Sequence, residues 1–78
     1  MAKFCNRLRL LRNSRSLSQQ TLSEKIGVSK SSINMYERGE REPSFETLEA
    51  IADFFNVDMD YLLGKSDVER KYAFVQPI

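Results

Sequence analysis

Seventy-eight residues, 41% of them hydrophobic and 29% charged, are enough for one domain with a small core and exclude a disordered chain. No apolar run reaches the roughly 18 residues of a membrane span, the N-terminus has no signal-peptide character, and a lone Cys5 without any histidine allows neither an internal disulfide nor a His/Cys metal set. The net charge of +1 conceals a split: residues 1–38 carry eight Lys and Arg against two acids, net +6, while residues 39–64 carry one Arg against seven acids, net −6.

A cytoplasmic protein without cofactor, metal or membrane partner is therefore expected. A basic half beside an acidic half suggests one face for a polyanion. The same numbers also fit a solvated surface with charges unevenly drawn.

Helix 1 is expected over residues 4–13, with Phe4, Leu8, Leu11 and Arg12 on one stripe at helical spacing. Cys5 lies beside that stripe and reads as a small core residue. Asn13, Ser14 and Ser16 mark the break. Ser18 is the expected N-cap of helix 2, whose inner face is Leu22 and Ile26, with Leu17 packing just before the cap. Ser23 is small enough to let the next helix approach closely. Gly27 ends helix 2 with positive φ, Val28 points inward from the turn, and Ser29 caps helix 3.

Helix 3 is expected from Lys30 to Arg38. Ile33 and Glu37 share its inner face, and Lys30, Ser31, Asn34 and Met35 share the other. Gly39 ends it, and Pro43 holds Glu42 extended in the loop that follows. Ser44 caps helix 4, which buries Leu48, Ile51, Ala52 and Phe55; Asp58 caps a short helix 5, with Met59 and Leu62 inward and Gly64 at its end. The expected fold is all-α: five helices in residues 1–64, with residues 65–78 as a tail or linker.

The stretch LSQQTLSEKIGVSKSSINMYERG, residues 17–39, together with Pro43-Ser44, Leu48, Ile51-Ala52 and Val57, resembles the Cro and phage-repressor class of helix-turn-helix regulators, the XRE type. The resemblance covers about residues 4–64. It implies a five-helix lambda-repressor-like domain, sequence-specific binding to double-stranded DNA as a homodimer, and transcriptional control.

The physical chemistry of groove recognition agrees. The major groove admits one helix and displays a distinct donor and acceptor pattern for each base pair. A recognition helix needs polar side chains near its N-terminus on the face away from the core. Lys30, Ser31 and Asn34 supply these, and Met35 adds an apolar surface for a thymine methyl. An ordinary solvated helix face would look similar without the flanking pattern. Phosphate contacts are expected from Gln19, Ser29, Ser32, Arg38 and Arg41. By resemblance, Gln19 is the family's glutamine that clamps phosphate and braces the recognition helix. Glu40 and Glu42 flank Arg41 and weaken its local field. Helical phase does not decide whether Lys3, Arg7 and Arg9 face DNA.

Arg12 sits on the apolar side of helix 1, where a cation needs a partner. Glu37 lies at the C-terminal end of helix 3, an unfavourable place for an acid facing the helix dipole. The resemblance implies that these two form a structural salt bridge. The rival reading puts Arg12 on a phosphate. Phe45, Phe54 and Tyr61 are hard to place wholly inside so small a core and are candidates for a dimer patch, as is the tail.

The leading expectation is a bacterial or phage repressor that occludes a promoter. A second is a protein-interaction module such as an antitoxin, and a third is the DNA-binding half of a longer self-cleaving repressor. An enzyme acting on a small-molecule substrate is not expected, because no Gly-rich phosphate loop and no paired nucleophile and base are present.

Overall fold

Serine and aspartate caps divide the chain into its helices. In the computed structural model, which describes residues 2–67, the elements are α1 (Ala2–Ser14), α2 (Gln19–Ile26), α3 (Lys30–Glu37), α4 (Phe45–Phe55) and α5 (Met59–Leu62). The side chains of Ser18, Ser29, Ser44 and Asp58 each accept a backbone N–H two or three residues on, at 3.0, 3.0, 3.2 and 3.1 Å. Each satisfies a donor that the first turn of its helix leaves unpaired. Helix α1 begins two residues before the expected start; it has no Ser, Thr or Asp that would mark its boundary in the sequence. Helix α3 ends at Glu37, one residue early, and the chain turns at Gly39 with φ 74°.

Gly27 closes α2 in the left-handed region, φ 87°, and its N–H reaches Ser23 O at 2.8 Å. No atom lies within 4 Å of where a Cβ would sit there, so the backbone angle alone selects glycine. Ser23 is buried, and its hydroxyl donates to Gln20 O at 2.7 Å. This removes a polar group from the α2 surface that meets its neighbours.

Helix α2 packs on α3 and α4, α1 packs on α3 and α5, and α4 packs on α5. Phe4, Leu8, Leu11, Leu22, Ile33 and Ile51 fill the centre, joined by Leu48, Ala52, Phe55, Val57 and Leu62. Leu17, Ile26, Val28 and Met59 close the core from its edge, each partly buried. Two tyrosines complete it. Tyr36 is buried edge-on to Phe4, with ring centroids 6.4 Å apart. Tyr61 is buried as well, with the Arg7 guanidinium 4.0 Å above its ring.

The burial of Tyr61 corrects the expectation of a three-aromatic surface patch. Its ring is covered by a cation instead of being left to a partner. Phe45 and Phe54 are exposed, at 63% and 37%, but they stand nine residues apart on α4. At 100° per residue that separation places them on roughly opposite sides of the helix. The three residues therefore form no single patch. Among the described residues no helix is long and apolar enough to cross a membrane. The tail expected at 65–78 lies outside the described residues from 68 onward.

Leu22 is fully buried between α2 and its neighbours. Leu22→Ala should lower the unfolding free energy by about 2–5 kcal/mol. Urea denaturation followed by circular dichroism measures this; a loss well under 1 kcal/mol would mean that the site is not packed as described.

Candidate nucleic-acid interface

The first turn of α3 is held before anything binds. Ser29 Oγ accepts from the Ser32 amide and donates to Ser32 Oγ, both at 3.0 Å. From this start, the 3.6-residue period sends Ile33, Tyr36 and Glu37 inward. Lys30 and Ser31 are exposed, and Asn34 and Met35 are half-buried. Gln19, the first residue of α2, lies beside them. Gln19, Lys30, Ser31 and Asn34 together line a surface depression of about 350 Å³. Met35 does not line it.

The inner side of α3 is organised by one buried acid. Glu37 is 3% exposed. Its two carboxylate oxygens accept from Arg12 Nε at 2.5 Å and Arg12 Nη2 at 3.0 Å, a bidentate pair. The remaining Arg12 nitrogen, Nη1, donates to Leu17 O at 2.8 Å, just before α2. Glu37 Oε1 also accepts from Gln19 Nε2 at 3.2 Å, and the same nitrogen reaches Asn34 Oδ1 at 3.4 Å. The backbone carbonyl of Glu37 accepts from Arg9 Nη1 at 3.0 Å. One residue thus ties α1, α2 and α3 together.

The hydrogen bond that Arg12 donates to Glu37 raises the Arg12 pKa above its ordinary value, opposed by burial and assisted by the charge attraction. A cation whose folded pKa is raised contributes stability at every pH below its ordinary value and loses it only on rising through the folded one. The contribution of Arg12 therefore persists through neutral and moderately alkaline pH.

The remaining candidate phosphate contacts fall into two places. Ser32 is buried, not exposed, and its hydroxyl accepts from Arg41 Nη1 at 3.3 Å. Arg41 is folded back from the loop against the start of α3, close to Ser29. Arg38 lies at the other end of α3, exposed, and pairs with Glu40 at 2.8 Å.

Three arginines have structural roles that sequence reasoning did not assign. Arg9 places its charge on the C-terminal carbonyl end of α3, where the helix dipole is negative. Arg7 donates to Tyr61 O at 2.9 Å, Ser66 O at 3.1 Å and the Asp67 carboxylate at 3.1 Å. Arg15 donates to Phe55 O at 3.2 Å, with its guanidinium 5.1 Å from the Phe55 ring centroid. Their partners lie 28 to 60 residues away in the chain, so no local pattern points to them. With Arg12, four of the basic residues in the +6 half are directed at the protein itself. The basic character left to the outer face rests on fewer side chains, Lys30 among them.

Comparison with known proteins adds four findings. A family profile described as Helix-turn-helix, HTH_3, matches residues 8–62. The HTH-type transcriptional regulator YobD of Bacillus subtilis is 41% identical over 73 residues, covering 87% of this chain and 65% of its own length. The CTXphi transcriptional repressor RstR of Vibrio cholerae is 36% identical over 64 residues, covering 82% of this chain and 58% of its own. Among solved structures, the P22 c2 repressor in complex with a synthetic operator superposes with a TM-score of 0.78 and 32% identity, over 85% of this chain and 100% of that one. The chain thus spans under two thirds of the length of these two sequence relatives.

Removing the acid at 37 leaves Arg12 without its partner. Glu37→Gln should cost about 3 kcal/mol in chemical denaturation, and Arg9→Ala about 1 kcal/mol. A change below about 0.5 kcal/mol for Glu37→Gln would show that the pair has no structural weight.

Proposed function

The chain belongs to the HTH_3, XRE-type family of helix-turn-helix DNA-binding transcriptional regulators, and from that premise we propose that it is a repressor that binds a palindromic operator as a homodimer. In this reading α3 enters the major groove, one copy per half-site. Lys30, Ser31, Asn34 and Met35 meet base edges. The backbone N–H of Gln19 at the start of α2, and Ser29, Arg38 and Arg41, meet phosphates on either side. Ser32 acts through Arg41, which it holds, and touches no phosphate itself. Repression follows from occupancy: a dimer seated over a promoter excludes the polymerase, and no chemistry is required. Such a protein works in the cytoplasm, where the DNA is.

The observation that carries this reading is the division of α3 into two sides. The inner side is bound into the core and to the Glu37 cluster. The outer side presents a polar depression shared with the first residue of α2. A helix held this firmly, with short polar side chains facing out, is suited to a rigid groove. Among the described residues, Phe45 and Phe54 are exposed aromatics available for contact with a second copy.

Selection of bound duplexes from a random pool tests the proposal. The expected product is a two-fold symmetric site with half-sites about 10–10.5 base pairs apart. On that site Asn34→Ala should weaken binding by about 1–3 kcal/mol, with little effect on random duplex. Affinity for random duplex should fall steeply as salt rises. A flat salt response, or a single asymmetric site, would contradict a dimeric DNA-binding repressor.

A further inference from the structure

We infer that Glu37, which is too deeply buried to touch DNA, decides which base the outer face reads, by fixing the orientation of two amides in series. The inference rests on the proposal that α3 reads the major groove. It adds a determinant of specificity and the base that this determinant selects.

A glutamine amide has a donor end and an acceptor end, and the two are nearly the same shape. What distinguishes them is the partner. A carboxylate has no proton to give, so an amide packed on it must present its NH₂. Gln19 lies on Glu37 Oε1 and therefore directs Nε2 inward, at 3.2 Å. That nitrogen has a second hydrogen and gives it to Asn34 at 3.4 Å, so the Asn34 amide must turn its oxygen toward Gln19. Arg12 holds the carboxylate in place through its two bonds. The polarity therefore runs in one direction, from α1 through Glu37 to Gln19 and on to Asn34.

Two atoms are left for a ligand in the depression: Gln19 Oε1, an acceptor, and Asn34 Nδ2, a donor. Neither has a partner among the described residues. In the major groove, adenine offers the complement, a donor at N6 and an acceptor at N7. Guanine offers two acceptors, N7 and O6, so one of them would face the Gln19 oxygen. The pair thus favours adenine and rejects guanine. Without the carboxylate, only the neutral bond to Asn34 opposes rotation of Gln19; once that bond is given up, both amides can turn NH₂ outward, and guanine is no longer rejected. Glu37 is a positioning residue in this scheme, since it touches neither base nor phosphate.

The test uses the full chain and a duplex selected from a random pool by the wild-type protein. Each adenine of a half-site is exchanged in turn for guanine, with its complement, and binding is measured for wild type, Glu37→Gln and Gln19→Leu. Folding of each variant is checked by circular dichroism. The double variant Arg12→Met with Glu37→Gln is included because it leaves no unpaired buried cation. Wild type should show one adenine per half-site whose exchange weakens binding roughly ten-fold or more. At that position the discrimination should fall to within about two-fold in all three variants. Discrimination at other positions, and affinity for random duplex, should stay as in wild type.

A uniform loss across all duplexes would mean that Glu37 only supports the fold, and the inference would fail. It would fail equally if Gln19→Leu removed the discrimination and both Glu37 variants kept it. A wild-type site with no adenine of this kind sinks the inference alone. A wild-type protein that prefers no duplex over random DNA sinks the DNA-reading proposal itself.

Discussion

A carboxylate placed in a protein interior must be given donors or lose its charge. Glu37 is such a carboxylate, and the arrangement of the first three helices follows from meeting its demand. Arg12 comes from α1 with two bonds, Gln19 from α2 with one, and Arg9 adds a bond to the carbonyl of the same residue. The driving force for folding lies elsewhere. Among the described residues nine large apolar side chains are fully buried, each worth about 1.5–3 kcal/mol, against which one ion pair is a small net term. The pair contributes direction. Apolar contacts tolerate sliding, whereas a bidentate guanidinium–carboxylate pair tolerates very little. The rotation of α3 about its own axis is set by that geometry, and with it the side chains that face outward.

The use of arginine in α1 and just after it changes how the charge split should be read. The N-terminal half is strongly basic in composition, yet Arg7, Arg9, Arg12 and Arg15 each donate to a backbone carbonyl, and Arg7 and Arg12 each also pair with a carboxylate. Carbonyls at helix ends are unpaired acceptors carrying partial negative charge, and a guanidinium with five donors suits them. Arg9 serves the end of α3, Arg15 the end of α4, and Arg7 the end of α5 together with the chain just beyond it. The helix that never enters the candidate interface is therefore the one that closes the other helices. Charge counted along a sequence measures the supply of cations and not their direction.

What could be read from the sequence was what is local. Ser18, Ser29, Ser44 and Asp58 act on the residues immediately after them, so their caps were visible, and Gly27 announced its own backbone angle. The apolar periodicity placed Leu8, Leu22, Ile33, Ile51 and Phe55 inside. The gathering of Gln19 with the outer face of α3 was implied by the family resemblance and not by any local spacing, since Gln19 lies at the end of α2 away from the turn. Tertiary choices were not readable. Tyr36 went unassigned to the core because its partner, Phe4, is 32 residues away, and Tyr61 was misjudged because Arg7 covers it. Phe45 and Phe54 looked like neighbours of Tyr61 in sequence, but helical phase separates them. Ser32 sat on a polar helix, and only the fold of the loop shows that Arg41 occupies its hydroxyl.

The central claim is that the face built over Glu37 is the one that meets DNA. Chemical-shift mapping with ¹⁵N-labelled protein tests it most directly, since side-chain amides report individually. On addition of duplex DNA, the Gln19 and Asn34 side-chain amides and the backbone amides of Lys30 and Ser31 should shift most, while those of Glu46, Glu49 and Asp53 on α4 stay in place. Shifts centred on α4, with Gln19 and Asn34 unmoved, would contradict the account.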